Sequence, residues 1–327
     1  MNPKKVFSRS AHQSGGAALL AAMLTVTLVA TFASAALWQQ FRSIEVEAAE
    51  RSRVQSGWLL TGALDWARLI LREDARAGGA DHLSEPWAVP LKEARLSSFL
   101  AVDKNEINTE SEAFLSGQVS DLQARLNVAN LINGRAVSEP GMASFSRLFE
   151  LLGLPAQQLS LLSSQLLLAA QATGSETSPL APLMPQSVDQ LAWMGLLPEV
   201  LTALGPFITL LPQPTGVNLN TASAEVIYAS TPGLDLATAQ KVVTAREQSY
   251  FKSLADANQA IKGPAAQFDE GRHSVGSRFF EVRGSLRLDQ TMVQERSVLQ
   301  RDGLVIRTLS RERGVLADLA TPSATRP

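Results

Sequence analysis

The chain has 327 residues, of which 45% are apolar and 18% charged, and its formal net charge is −2. This length exceeds that of a typical single domain and predicts one to three domains with a substantial core. The chain has no cysteine, which excludes a disulfide framework, a thiolate nucleophile and a cysteine-ligated metal site. With only three histidines, His-based triads and His-rich metal sites are nearly excluded, and the charge balance does not support broad electrostatic binding of nucleic acid.

The N-terminal region contains an uncharged apolar segment behind a basic flank. Ala17–Leu37 has 21 residues and no charge, and Lys4, Lys5 and Arg9 precede it. About 20 apolar residues suffice for a helix to cross a bilayer core. Because basic flanks stay in the cytoplasm, the sequence predicts a single-pass inner-membrane protein with the bulk of the chain in the periplasm.

Three devices share this pattern: a cleaved secretory signal, a signal anchor and a prepilin-type leader. Ala33-Ser34-Ala35 is a good small-x-small signal-peptidase site. However, the apolar pattern continues beyond it, and Gly15-Gly16 stands at the start of the segment. These features favour a leader of residues 1–16, cut between Gly16 and Ala17 by a prepilin peptidase, with the membrane helix retained.

The segment continues as one long helix over residues 17–76. It contains no proline, and apolar residues recur at spacings of three and four beyond the membrane part. Gly78-Gly79 is the predicted end of the helix. Glu73, Asp74, Asp81 and Glu85 follow around this end; they could offer oxygen ligands to a hard cation, but the pattern favours a solvated helix end.

Residues 77–136 mix short candidate strands with polar turns, and Asp121, Arg125, Asn127 and Asn130 are predicted to serve as turn and cap residues.

Residues 137–272 have a different composition, rich in leucine, glutamine and proline, with no lysine or arginine between Arg147 and Lys241. Leu159–Ala172 is predicted as a buried helix, and Thr173–Pro185 as a loop or linker.

From residue 273 the hydrophobic period becomes two. Phe280, Val282, Leu286 and Leu288 alternate with polar residues, which indicates a half-buried strand, and Asp302-Gly303 predicts a hairpin turn. Strands therefore return after a helical interruption. The predicted fold is α+β, with an α/β body of residues 77–136 and 273–315, an inserted helical domain of residues 137–272, and a flexible tail of residues 316–327.

Within the insert, Val217–Arg246 is similar to a helix-hairpin-helix unit, two short helices joined by a tight turn. In such units a Gly-hydrophobic-Gly turn presents backbone N–H groups to a phosphate of DNA. Here the turn contains Pro232 and Gly233, and Asp235 takes the place of the second glycine. Its carboxylate would cap the second helix and repel phosphate, so the motif favours a packing module over DNA binding.

Enzyme motifs are absent from the sequence. It lacks Gly-x-Ser-x-Gly, His-Glu-x-x-His and the phosphate-binding glycine loops. The sequence therefore predicts a protein that is not an enzyme, with no catalytic residues and no metal ligands assigned.

The order of these features resembles the minor pseudopilin K family of type II secretion systems. Locally, DWARLIL and LSEPWAVPL resemble the family's helix end and its Glu-x-Trp-Ala-x-Pro segment, and Gln118–Leu131 and Ser277–Arg287 resemble its segments on either side of the insert. The resemblance extends from Gly15 to about Arg313.

The resemblance implies a pilin-like fold: a long N-terminal helix packed on a small antiparallel sheet, interrupted by a large helical insert with a helix-hairpin-helix or SAM-like unit. It implies a structural role at the tip of the pseudopilus, supporting protein export across the outer membrane. The implied partners are minor pseudopilins of the I and J types, the major pseudopilin, the prepilin peptidase, the inner-membrane assembly platform and the membrane, and no nucleic acid.

One position supports a tip location. Most pilin-like proteins carry a glutamate at the fifth mature position, where it meets the terminal ammonium of the neighbouring subunit in lipid. Counted from Ala17, this position is Ala21. A subunit with none ahead of it has no ammonium to neutralise, so alanine suits the tip.

The chain also departs from the family, because Ala169–Ser187 lacks the Asp-rich segment that many members have there. Some members bind calcium, but the resemblance identifies no calcium ligands in this chain, and no other cofactor is predicted. The alternative function is a membrane-anchored helix-hairpin-helix DNA-binding protein of a competence or type IV pilus system.

Overall fold

The structure is a computed structural model that describes residues 15–96, 113–172, 182–261, 266–288 and 291–314. The chain divides into two compact units at Gly57. The predicted leader up to residue 14, most of the predicted 173–185 linker and the predicted tail lie outside the described residues.

The helices and strands follow one another in this order: α1 (Gly15–Ala77), β1 (Leu91–Arg95), β2 (Ala113–Asp121), β3 (Leu126–Asn127), β4 (Ile132–Asn133), β5 (Ala136–Val137), α2 (Glu139–Leu151), α3 (Ala156–Ala172), α4 (Pro198–Leu204), β6 (Ile208–Thr209), β7 (Val217–Asn218), α5 (Ala224–Ser230), α6 (Leu236–Gln248), α7 (Leu254–Ala260), β8 (His273–Ser274), β9 (Phe279–Leu288), β10 (Thr291–Asp302) and β11 (Val305–Gly314). A 3₁₀ helix, Val188–Met194, precedes α4.

Helix α1 has 63 residues, about 95 Å at the standard rise per residue. In the first unit every residue from 16 to 51 is exposed. The helix ends where predicted, because Gly78 (φ 69°) and Gly79 (φ 118°) take left-handed conformations that favour glycine.

In the second unit, α1 packs on one face of a five-stranded antiparallel sheet in the order β1-β2-β9-β10-β11. The helix buries residues spaced by about one turn, Leu64 and Leu71, against Phe280, Leu299 and Ile306 of the sheet. The sheet ends in the predicted hairpin, in which Asp302 pairs with Val305 and Gly303 has φ 56°. Trp58, at the start of this unit, does not join the packing and is 73% exposed.

Between β2 and β9 the chain forms the helical insert, which has a separate and larger apolar core. Its buried residues come from every insert helix, including Phe145, Leu162, Val200, Ile227 and Val242. The parallel pair β3 and β6 and the parallel pair β7 and β8 tie distant parts of the insert together.

The insert begins earlier than residue 137, where composition placed it. The chain leaves the sheet at Asp121, and Leu126, Val128 and Leu131 already lie in the insert core. The change in composition marks only where the long helices start. The predicted α+β fold, with a long N-terminal helix, a small antiparallel sheet and a helical insert, is confirmed.

Candidate functional site

The first candidate surface is the apolar half of α1. This helix is long and apolar enough to cross a membrane by length and composition, and its apolar window is not buried by any other described part of the chain. Gly16, Ala17 and Ala21 lie in its first two turns. The exposed side chains of this half include Leu20, 70% exposed, and Phe32, 67% exposed.

The second candidate site is a buried polar cluster where the C-terminal end of α1 meets the sheet. Arg301 of β10 donates to Asp74 Oδ2 at 2.6 Å and to Asp81 Oδ1 at 2.5 Å, and it also donates to the Ser277 carbonyl at 2.7 Å. The guanidinium lies over the Phe280 ring, 4.9 Å from its centroid. One arginine thus joins the helix end, the following loop and two strands.

This cluster continues into the insert through Asp121. The carboxylate of Asp121 accepts from Ser277 Oγ at 2.6 Å, Thr221 Oγ1 at 2.6 Å and Asn218 Nδ2 at 3.0 Å. Asn218 also donates to the Asp81 carbonyl at 3.2 Å. Because donors from the insert and the body meet on one buried carboxylate, the cluster fixes how the insert joins the sheet.

Asp74 and Asp81 do not belong to the solvated helix end that the sequence pattern predicted, whereas Glu73, which is 49% exposed and pairs with Arg76, does. The Asp81 and Asp74 side chains are only 5% and 13% exposed. Burial raises the pKa of Asp81, although Arg301 opposes the shift. Burial also raises the pKa of Glu85 to about 7, against the lowering effect of hydrogen bonds from the His82 N–H and Trp87 Nε1.

Asp74, Asp81 and Glu85 bring carboxylate oxygens within 4.8 Å of one another. Calcium requires six to eight oxygen ligands with negative charge that is free to coordinate. Arg301 already engages both Asp81 oxygens, at 2.5 and 2.6 Å, and one Asp74 oxygen. In this arrangement the three acids do not fit a calcium site.

Around these groups lies a cleft of about 1040 Å³, which is lined from one side by Asp74 and Gly78 and from the other by Gly216, Lys252 and Ser253 of the insert. A smaller and more apolar groove of about 250 Å³ lies beside α1, between Trp66, Trp87 and Val89. Trp66 is 53% exposed and Val89 is 65% exposed. An apolar groove of this kind is suited to packing against another protein, and so is the exposed half of α1 in the first unit.

The helix-hairpin-helix-like turn lies between α5 and α6. Pro232 and Gly233, the latter with φ 78°, form the turn, and Asp235 is the N-cap residue of α6. Its carboxylate accepts from the Thr238 N–H at 2.6 Å, and this bond lowers the pKa of Asp235. The site where a phosphate would bind therefore holds a carboxylate.

Two of the basic residues near this turn, Arg246 and Arg147, act inside the fold, whereas Lys241 of α6 is exposed. Arg246 donates to the Leu219 carbonyl at 2.6 Å and is partly buried. Arg147 donates to the carbonyls of Tyr228 and Leu234 and lies over the Tyr228 ring. The roles of Arg147 and Arg301 could not be predicted from the sequence, where each is only an isolated basic residue in a largely apolar stretch.

These features define a class: a protein with a pilin-like body, an N-terminal helix suited to a membrane anchor, and a large helical insert. Family models described as "Type II secretion system (T2SS), protein K" match residues 124–213 and 217–276. A curated relative, "Type II secretion system protein K" of Pseudomonas aeruginosa, is 26% identical over 91% of this chain and 92% of its own length.

A solved structure has a similar fold. It is a chain of the crystal structure described as the GspK-GspI-GspJ complex from the type 2 secretion system of enterotoxigenic Escherichia coli. That chain aligns with a TM-score of 0.57 and 15% identity, over 81% of this chain and 98% of its own length. The two family models, the curated relative and the solved structure thus all support an assignment of this chain to the type II secretion system protein K family.

Proposed function

We propose that this protein is a minor pseudopilin at the tip of the type II secretion pseudopilus, a structural subunit that supports protein export across the outer membrane. The observation that carries the proposal is the uncovered apolar half of α1 in a chain of the protein K family. Residues 17–37 anchor the protein in the inner membrane, with the body and insert in the periplasm.

The first step of assembly is cleavage between Gly16 and Ala17 by a prepilin peptidase. The helix that follows then moves from lipid into the filament without losing its apolar contacts. No Lys, Arg, Asp or Glu occurs from Ala17 to Leu37, so no charge of the segment opposes either its insertion in lipid or its packing against the apolar helices of neighbouring pseudopilins.

The tip location rests on Ala21 and on the insert. Ala21 has no carboxylate to neutralise the terminal ammonium of a subunit ahead of it. The insert, which spans the chain between β2 and β9, adds bulk that a tightly wound shaft would exclude. A fold relative described in a complex with GspI and GspJ supports minor pseudopilins of these two types as partners. The other proposed partners are the major pseudopilin, the prepilin peptidase and the inner-membrane assembly platform.

The role is structural and not enzymatic. The alternative, DNA binding through the helix-hairpin-helix-like turn, is not favoured, because Asp235 occupies the phosphate position and Arg246 is engaged with Leu219. Neither calcium nor another cofactor is assigned to the role.

Two experiments test the proposal. Mass spectrometry of the mature N-terminus is expected to give a chain that begins at Ala17, whereas a start at Ala36 would identify a cleaved secretory signal and contradict it. Gold labelling of the protein on sheared pseudopili is expected to mark one end of each filament. Label distributed along the shaft would contradict the tip location and leave the pseudopilin role intact.

A further inference from the structure

The helical insert exposes four large apolar side chains within one short stretch of the chain, Leu183, Met184, Trp193 and Leu197, and we call them, together with the neighbouring Glu199, the insert patch. These apolar side chains are 78%, 44%, 64% and 45% exposed, respectively. Large apolar residues that cluster in a short stretch at the surface are typical of protein interaction sites. Tryptophan in particular supplies much of the binding energy where it is found in an interface.

The insert patch is not a by-product of core packing. The 3₁₀ helix Val188–Met194 buries Leu191 and Met194, which are 0% and 1% exposed, and directs Trp193 outward. The 3₁₀ helix therefore packs on the insert core through Leu191 and Met194, and Trp193 takes no part in that packing.

The backbone under the insert patch is held in place. Gly195 has φ 86°, and a Cβ there would lie 3.0 Å from the Leu161 side chain, so α3 packs directly beneath this turn. Gln158 of α3 accepts the Leu197 N–H at 3.0 Å. A surface that is already ordered loses little conformational entropy when a partner binds.

The charge around the insert patch indicates the chemistry of the partner. From residue 148 to residue 240 the sequence contains no lysine, arginine or histidine, and its six acidic residues are Glu150, Glu176, Asp189, Glu199, Glu225 and Asp235. Glu199 has no ion-pair partner among the described residues, and Asp189 lies 3.5 Å from Arg296, which also binds Glu312. The insert patch is thus apolar with one unpaired carboxylate, that of Glu199, beside it, whereas Asp189 is compensated by Arg296.

This charge disfavours a lipid surface. Bacterial phospholipid surfaces are anionic, and surface-binding helices carry lysine and arginine on their polar faces. The insert patch has the opposite sign. Complementary charge steers association and rejects partners of like charge, so a cationic protein segment fits this surface.

We propose that the insert patch binds a segment of a partner protein in which lysine or arginine residues flank an aromatic or branched apolar anchor. The apolar anchor packs on Trp193 and Leu197, and the cations face Glu199. The inference does not depend on the tip location or on processing after Gly16, so either proposal can fail without the other.

The test uses the full chain in nanodiscs of zwitterionic phosphatidylcholine and three labelled synthetic peptides, with binding measured by fluorescence anisotropy. One peptide has lysines flanking tryptophan and leucine, the second replaces the lysines with glutamate, and the third keeps the lysines but replaces the apolar residues with serine. Only the first is expected to bind, with an affinity that falls as salt is raised.

Two variants and two matched controls locate the binding. Trp193→Ser is expected to weaken binding of the first peptide about tenfold or more, since an exposed tryptophan can be replaced without loss of folding. Glu199→Lys is expected to weaken binding of the lysine peptide and to strengthen binding of the glutamate peptide. Leu304→Ser and Glu270→Lys, which introduce the same side chains at exposed positions outside the patch, are expected to leave the affinities for both peptides unchanged.

Three results would overturn the proposal: equal binding of the lysine and glutamate peptides, binding of the lysine peptide that is unaffected by Trp193→Ser, or retention on phosphatidylglycerol vesicles that depends on Trp193. The last result would assign the patch to a membrane.

Discussion

Arg301 is the one cation in the described part of the chain that pairs with Asp74 and Asp81, and its removal tests how the insert, the helix and the sheet are joined. Arg301→Leu keeps much of the side-chain volume over Phe280 but removes the donors to Asp74 and Asp81. Both carboxylates then stay in an environment that excludes most water, without a counter-charge.

The magnitude follows from burial. Breaking a buried ion pair by removing one partner costs about 3–5 kcal/mol, because the remaining charge is left unpaired. With Asp81 only 5% exposed and Asp74 13%, the full penalty applies to Asp81 and part of it to Asp74. The lost contact with Phe280 adds roughly 0.5–1 kcal/mol. We therefore expect Arg301→Leu to lower the free energy of unfolding by about 4 kcal/mol.

The assay is urea unfolding of the full chain in detergent, followed by tryptophan fluorescence. Trp87 is buried edge-on against Phe280, the ring over which the Arg301 guanidinium lies, and reports on this region. Arg76→Leu is the matched control, because Arg76 pairs with Glu73 at the same helix end but the two side chains are 58% and 49% exposed. It is expected to cost less than about 1 kcal/mol.

A double variant separates the lost charge from the lost packing. Asp81→Asn in the Arg301→Leu background removes the unpaired charge and is expected to recover part of the stability. A loss below about 1 kcal/mol for Arg301→Leu, or no recovery in the double variant, would refute the view that this ion pair holds the junction.

Three further predictions concern packing and pH. Gly141→Ala places a Cβ 2.1 Å from the Asn130 carbonyl oxygen and is expected to destabilise the protein by about 2–3 kcal/mol. Gly62→Ala, in open space on α1, is expected to stabilise it by about 0.5–1 kcal/mol, and urea unfolding measures both effects. Burial lowers the pKa of His273 from 6.5 to about 4, so between these pH values the unfolded chain binds a proton that the folded chain does not. The free energy of unfolding is therefore expected to fall by about 3 kcal/mol as the pH drops from 6.5 to 4, and His273→Gln should remove this dependence. Glu85 titrates in the opposite sense, because its raised pKa of about 7 means that stability is lost as pH rises from 4.5 through 7, and Glu85→Gln should abolish that loss in thermal unfolding.

Each of these has a contrary outcome. Equal effects of alanine at Gly141 and Gly62 would show that the close approach to Asn130 is not rigid. For the two titrations, pH profiles of the variants that coincide in shape with that of the unsubstituted protein would show that neither His273 nor Glu85 is the group responsible.

The features that the sequence alone determined are local ones. The length of α1 and its end at Gly78-Gly79 follow from helix propensity and from the left-handed conformation that glycine adopts there. The hairpin at Asp302-Gly303 and the capping role of Asp235 depend on neighbours within three residues. Such features need no knowledge of distant contacts.

The tertiary structure decided the rest, because it depends on residues far apart in the chain. Asp74, Asp81, Asp121 and Arg301 form one cluster across more than two hundred positions, and no spacing rule connects them. Long-range packing also engages Arg246 with a carbonyl, which removes a cation that the sequence made available to DNA. The charge of a segment, its capping residues and its hydrophobic period can be read from that segment alone. The burial of a side chain and its hydrogen-bond partners depend on which segments the fold brings together.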